Sequence, residues 1–327
     1  HERFPHRSVT RIPSRTPFYD IIDATKDINH FLAQQKYYGQ KTPLIIIVDN
    51  GSTPQDVQSI QKAKHFGADV VVVDHHDPGP LDDNGQSVIC KEVLEHVNPH
   101  LKGLSKEYSA SILAYVLAPL IYSHKPSVHP AIIGCVADRS TIPELDELIS
   151  QTNEKREFYR ELALFVDYEI HLTKSMSHEI LRELVFGSFE DKKKLIALYA
   201  DSFKEEKEHV ISSLKHYAVK ETIGSFDVAL IDGERLTFRG DYFSIGKLAG
   251  ISFDTLFDSS TTRAMSIVYS DGIIVFRVKQ EQDVFDVNKL IAYLKKELPF
   301  ARVSGGGHSV AGSLKFLPMA SKDVFEK

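Results

Sequence analysis

No stretch of the sequence approaches the ~20 consecutive apolar residues of a membrane-spanning helix, and no secretory signal pattern, internal repeat or low-complexity tract is visible. Cysteine is almost absent. Cys90 and Cys135 are the only two, and neither has a metal-ligand spacing, so reduced, packed thiols are expected. Tryptophan is missing altogether, which decides nothing. An excess of positive charge is lacking as well: the formal net charge is −6. A protein that held long nucleic acid by bulk electrostatics would be basic. Any polyanion site must therefore be local, a groove with a few basic contacts, suited to small anions or short single strands. The run Lys192-Lys193-Lys194 opens a helical segment in which lysine and glutamate alternate, so it reads as a solvated helix face. These features together agree with a cytoplasmic enzyme.

With 327 residues the chain exceeds what one hydrophobic core usually supports, and two domains are expected. Residues 70–73 form a short β-branched run without alternation, the pattern of a parallel strand buried on both faces. It ends in Asp74-His75-His76. Such a position is the carboxyl edge of a sheet, where open α/β folds hold their ligands. Two imidazoles and a carboxylate there suggest hard-metal chemistry. The pattern recurs: residues 44–48 end in Asp49-Asn50-Gly51-Ser52, and residues 131–136 end in Ala137-Asp138-Arg139-Ser140. One acid at a strand end is ordinarily a cap or a turn residue. Three strands running in one direction would deliver three acids to one crevice. Between the first two, residues 53–66 read as a helix, with Thr53-Pro54 at its start and Gly67 at its stop, giving a right-handed βαβ unit.

Further along, residues 107–124, 144–172 and 190–217 read as helices. The character then changes: residues 226–231, 262–269 and 273–279 read as strands, with Ser270-Asp271-Gly272 as a hairpin turn. A helix over 287–298 follows, and then Gly305-Gly306-Gly307-His308. The expected fold class is α/β: a parallel-sheet domain over 1–185, connecting helices over 186–222, and a smaller mixed-sheet α/β domain over 223–327.

Val48-Asp49-Asn50-Gly51, Asp74-His75-His76 and Gly134-Cys135-Val136-Ala137-Asp138 resemble successive motifs of the DHH phosphoesterases. Gly305-Gly306-Gly307-His308-Ser309-Val310-Ala311-Gly312 is similar to the signature of the C-terminal domain associated with that family. Arg11-Ile12-Pro13-Ser14, Thr16-Pro17-Phe18-Tyr19-Asp20 and His96-Val97-Asn98-Pro99-His100 resemble the archaeal RecJ-like branch. Asp-His-His alone is a weak match, whereas four ordered motifs over most of the chain are a specific one. The family's first motif, an Asp-x-Asp cluster, is missing, so a sequence that starts after it is expected. A paralogue that has lost half its metal site is the other reading.

The resemblance implies a metal-dependent phosphodiesterase, a single-strand-specific exonuclease on DNA or RNA, with two ions in the intact enzyme. Asp49 would bridge both ions, and His75 and Asp138 would complete one coordination sphere. Two carboxylates and an imidazole suit Mn²⁺ (or Mg²⁺) better than Ca²⁺ or a structural zinc site. His76 would face substrate, with Asp74 orienting the two imidazoles or simply capping the loop. Gly305, Gly306 and Gly307 can take positive φ and admit an anion to backbone N–H groups. His308 and Arg277 would add donors to the same phosphate, in a cleft between the domains. Implied partners are single-stranded DNA or RNA, short oligonucleotides, and replication or repair proteins, with no membrane. Two alternatives stay open: a nucleotide or short-oligonucleotide phosphatase, and a non-catalytic scaffold in a replication or repair complex. A type II pyrophosphatase would lack the glycine-histidine segment.

Overall fold

A computed structural model describes residues 19, 21–38, 43–104, 107–121, 125–173, 179–237, 241–258, 260–280, 284–308 and 311–326. Of the segments singled out above, 11–14, 16–18, Asp20, Ser309, Val310 and the side chain of His308 lie outside the described residues. The chain divides into two compact units, His1–Ile196 and Ala197–Lys327.

In the first unit α1 (Ile21–Tyr38) precedes β1 (Leu44–Val48), α2 (Val57–His65), β2 (Asp69–Val73) and β3 (Glu95–Val97). The strands form a parallel sheet in the order β1-β2-β3, with Val48 opposite Val73 and Val73 opposite Val97. Isoleucine and valine make β1 and β2 because their branched side chains pack well on a pleated surface and are stiff in a helix. The helix expected from Thr53-Pro54 begins as a 3-10 turn, and α2 itself starts at Val57. Thr53 N–H and Oγ1 both donate to Asp56 Oδ2 at 2.7 Å, which orders a 3-10 turn, Pro54–Asp56, ahead of the helix. Gly67, at φ 83°, ends it. Ile47, Ile60, Ala63, Val70, Val72 and Ile89 form the core between α2 and the sheet.

The segment over residues 131–136 is not a strand. It lies inside α4 (His129–Ala137), which packs against α3 (Ala110–Ile121). Ala131, Ile132, Ile133 and Cys135 are all buried, and a short segment buried on every side has no period that separates strand from helix. Pro130 in the first turn suits a helix start. A Cβ on Gly134 would stand 2.2 Å from Ser111 Oγ, so glycine lets α3 and α4 approach closely. The third strand is β3, which overlaps the start of the His96–His100 motif. The single helix expected over 144–172 is two, α5 (Pro143–Ser150) and α6 (Arg156–Thr173), and α7 (Glu179–Phe186) and α8 (Phe189–Tyr217) follow. The lysine run also needs correction: Lys193 and Lys194 are exposed, but Lys192 is buried at 3% exposure, and burial lowers the pKa of its ammonium.

The division between the units falls inside α8. In the second unit β4 (Val219–Ile223), β5 (Phe226–Asp232), β6 (Ala264–Ser270), β7 (Ile273–Lys279), β8 (Ser304–His308) and β9 (Ala311–Lys315) form a sheet in the order β4-β5-β6-β7-β9-β8. Only the β5–β6 pair is parallel. α9 (Ile245–Leu256) packs on β6, α10 (Val287–Glu297) packs on β8, and α11 (Ser321–Glu326) closes the chain. Val287, Ile291 and Leu294 give α10 its apolar stripe over Phe276, Val278 and Leu314. Asp286 caps it, accepting from Asn288 N at 2.8 Å and Lys289 N at 3.3 Å.

The glycine segment is a strand and not a loop. Among its three glycines only Gly305 has a positive φ, 139°. A Cβ on Gly305 would lie 2.2 Å from Ser313 O, and one on Gly307 would lie 2.3 Å from Ala311 O. Glycine is needed here for close approach of β8 to β9.

Candidate metal centre

Asp49 and Asp74 each follow a strand by one residue, and the strand ends Val48 and Val73 are paired across the sheet. The two acids therefore leave the sheet side by side. Asp49 N–H donates to Val73 O at 3.0 Å, and Asp74 N–H donates to Val97 O at 3.0 Å. At Asp49 φ is 61°, a left-handed conformation that a non-glycine residue keeps only when its surroundings over-determine it. Its side chain is 57% exposed and turned outward.

Asp74 has the opposite surroundings. It is fully buried, and its Oδ1 accepts His75 N at 2.7 Å, His76 N at 3.3 Å and His76 Nδ1 at 2.7 Å. Ser52 N donates to Oδ2 at 3.1 Å. Burial would push this carboxyl up, but the hydrogen bonds and charge from His76, with Ser52, outweigh it and hold the pKa at about 2. The same pair works on His76. Burial disfavours its charged form, yet the Asp74 carboxylate prevails and raises its pKa. With Nδ1 engaged, the remaining ring nitrogen of His76 is Nε2. His75 lies with its ring centroid 4.8 Å from that of His76 and its Nε2 3.3 Å from Asp49 Oδ1.

Asp49, Asp74, His75 and His76 each offer a donor atom within 4.8 Å of the others. Asp138 is outside that group but close. It caps the C-terminal end of α4, where its N–H donates to Gly134 O at 2.9 Å. Its residue surface is exposed, yet enough protein surrounds the carboxyl that burial raises its pKa, with the charge of Asp49 adding to the effect. Next to it Arg139 has φ 56°, so residues in the left-handed region stand at Asp49 and beside Asp138. A carboxylate at the negative end of a helix, within the field of a second carboxylate, is favourable for a cation. Oxygen and imidazole donors that converge in this way fit a divalent ion such as Mn²⁺ or Mg²⁺.

Of the residues expected from the sequence, Asp49, Asp74, His75 and His76 come together at the end of the parallel sheet, and Asp138, at the end of α4, lies within the electrostatic reach of Asp49, His75 and His76. Arg277 and Gly305–His308 belong to the second unit. Arg277 pairs with Ala311, and Ala311 pairs with His308, so the three backbones stand in one row across β7, β9 and β8. Neighbouring strands are about 4.8 Å apart, which puts Arg277 and His308 roughly 10 Å apart along that row. Arg277 is half-buried, with its NH1 donating to Phe276 O at 3.1 Å, and Asn288 Nδ2 donates to Gly307 O at 3.0 Å. Ser52, His96 and Asn98, which carry no role in the sequence reading, support the centre: Asn98 Nδ2 donates to Ser52 Oγ and to His76 O, both at 2.9 Å. Their signal in the sequence was only the His96–His100 motif and the Asp49–Ser52 turn.

The N-terminal domain model of the DHH family matches residues 9–138. A solved structure, a DHH domain of a member of the s1p family of ribosomal proteins, is 30% identical and superposes with a TM-score of 0.87, covering 96% of this chain and 75% of that one. An uncharacterized protein of Methanocaldococcus jannaschii is 30% identical over 94% of this chain. The chain spans 44% of the length of that relative. This chain belongs to the DHH family. Among the described residues no helix is long and apolar enough to cross a membrane.

Proposed function

We propose that the chain is the core of a metal-dependent phosphodiesterase that removes nucleotides from an end of single-stranded DNA or RNA. The observation that carries this reading is the convergence of Asp49, Asp74, His75 and His76 at the end of a parallel sheet in a DHH-family chain. Asp49, with its outward carboxylate, would hold the metal together with His75 and Asp138. Bound Mn²⁺ or Mg²⁺ supplies a water of lowered pKa and neutralises charge developing on the phosphoryl group. The Asp74 carboxylate raises the pKa of His76 and engages its Nδ1, which leaves Nε2 to face a phosphate oxygen. Asp74 stays ionised and buried, and its role is to orient His76.

Among the described residues, no acid of the Asp-x-Asp type stands on a strand beside β1. The surface there supports a place for one. β1 is the outer strand, and Leu44, Ile46 and Val48 on one face are 52%, 54% and 50% exposed. Parallel strands are ordinarily covered on both faces. A further element seated beside β1 and bearing additional metal ligands would complete a two-ion site.

In the second unit, Arg277 and the β8 edge with His308 are the proposed anion-binding residues. Replication or repair proteins are the proposed partners of the longer protein. The acidic balance of the chain favours a second reading, hydrolysis of nucleotides or very short oligonucleotides. Comparing a dinucleotide, a long single strand and a blunt duplex, with Mn²⁺ and then with excess chelator, tests both. Metal-dependent release of mononucleotides from the long strand is expected. Cleavage confined to the dinucleotide selects the second reading, and rapid internal cutting of the duplex rejects both.

A further inference from the structure

Behind the candidate metal ligands runs a row of hydrogen bonds that none of the roles above uses. Ser52 is fully buried, with its backbone N–H on Asp74 Oδ2. Asn98 Nδ2 donates to its Oγ at 2.9 Å, and that same Oγ lies 2.9 Å from His96 Nε2. His96, in β3 and 7% exposed, has Nδ1 3.2 Å from Ser87 Oγ and 3.5 Å from Cys90 Sγ. A serine hydroxyl has one proton to give and two lone pairs to fill. Asn98 occupies a lone pair, and the Ser52 hydroxyl stands between two further groups, the Asp74 carboxylate, which also takes a side-chain hydrogen bond from Ser52, and His96 Nε2. Whichever tautomer His96 adopts, its Nε2 contact fixes the Ser52 side chain from the side opposite the metal ligands.

Ser52 closes the loop that begins at Asp49, whose left-handed φ of 61° needs support from its surroundings. The loop is tied at one end by Asp49 N–H on Val73 O and at the other by Ser52. We propose that His96 is a positioning residue: through the Ser52 hydroxyl it holds the Asp49–Ser52 loop in the conformation that presents Asp49 beside His75. The proposal rests on the metal-binding reading above and adds to it a residue buried away from both metal and substrate.

Glutamine and methionine at position 96 have nearly the same size, but only glutamine can replace the Nε2 contact to Ser52. The test compares His96→Gln, His96→Met and Ser52→Ala with the parent chain, reading Mn²⁺ affinity by calorimetry and exchange of the Ser52 amide in metal-free protein. His96→Met and Ser52→Ala should each weaken Mn²⁺ binding about tenfold, the usual cost of losing a partner behind a ligand, and both should speed Ser52 exchange. His96→Gln should resemble the parent in both readouts. The double variant Ser52→Ala/His96→Met should be no worse than either single one, because both remove the same hydrogen bond. Equal behaviour of the glutamine and methionine variants overturns the proposal, as does parent-like Mn²⁺ affinity in His96→Met. A parent that binds no Mn²⁺ removes the metal reading and this proposal with it. A parent that binds while His96→Met matches it removes the proposal alone.

Discussion

His75 Nε2 stands 3.3 Å from Asp49 Oδ1, a contact that joins the ends of two neighbouring parallel strands. The register makes it possible. Val48 and Val73 are paired, so the residues after them leave the sheet at one level. A shift of one residue would send the acid of one strand to the other face.

Replacing Asp49 should be the most damaging single change. Asp49→Ala is expected to lower Mn²⁺ affinity by more than the roughly 10- to 100-fold cost of losing a supporting partner, and to abolish turnover. The chain itself should bind Mn²⁺ weakly and at a single site, which isothermal titration reads as stoichiometry. A variant that kept parent affinity would remove Asp49 from the coordination sphere.

His76 is expected to act on substrate, since its Nδ1 is committed to Asp74. In the longer protein, His76→Ala should lower kcat by about 100-fold, as for loss of one donor to a developing charge, with Mn²⁺ affinity close to that of the parent. A loss of metal binding equal to that of His75→Ala would make His76 a ligand instead.

His308 should affect substrate and leave the metal alone. His308→Ala is expected to weaken binding of a short oligonucleotide while calorimetry shows unchanged Mn²⁺ affinity. Arg277→Ala should have the same sign. Abolition of Mn²⁺ binding by His308→Ala would place that histidine in the coordination shell.

Two buried acids should give opposite pH dependences of stability. Asp74 titrates at about 2 in the fold against 3.8 unfolded, so its contribution is present above about pH 4 and is lost as pH falls through about 2. That difference corresponds to about 2 kcal/mol. Asp56 is raised to about 6, chiefly by burial, against hydrogen bonds from Thr53 and Tyr19. Its native state holds a proton more tightly than the unfolded one, so stability is greatest below about pH 4 and falls as pH rises through about 6. Urea melts across this range should show Asp74→Asn losing the acid-limb dependence and Asp56→Asn losing the fall toward neutrality. The same pH profile in both variants and the parent would contradict these assignments.

Local chemistry makes much of the molecule legible in the sequence. Residues 44–48 and 70–73 could only be buried parallel strands, because branched apolar residues without alternation suit nothing else of that length. The acids that follow them were visible for the same reason, as was α10, whose apolar spacing has a helical period. Tertiary structure alone decided the element over 131–136. A short segment buried on all sides carries no period, and only its packing against α3, through Gly134, makes it a helix. It also decided that Gly305 and Gly307 serve strand contact, because the atoms a Cβ would meet belong to β9. Hydrogen bonds among Ser52, His96, Asn98 and Ser87 were likewise out of reach of the sequence. Which donor meets which acceptor across three separate segments depends on where the sheet register and the loops set them, and no spacing along the chain encodes that distance.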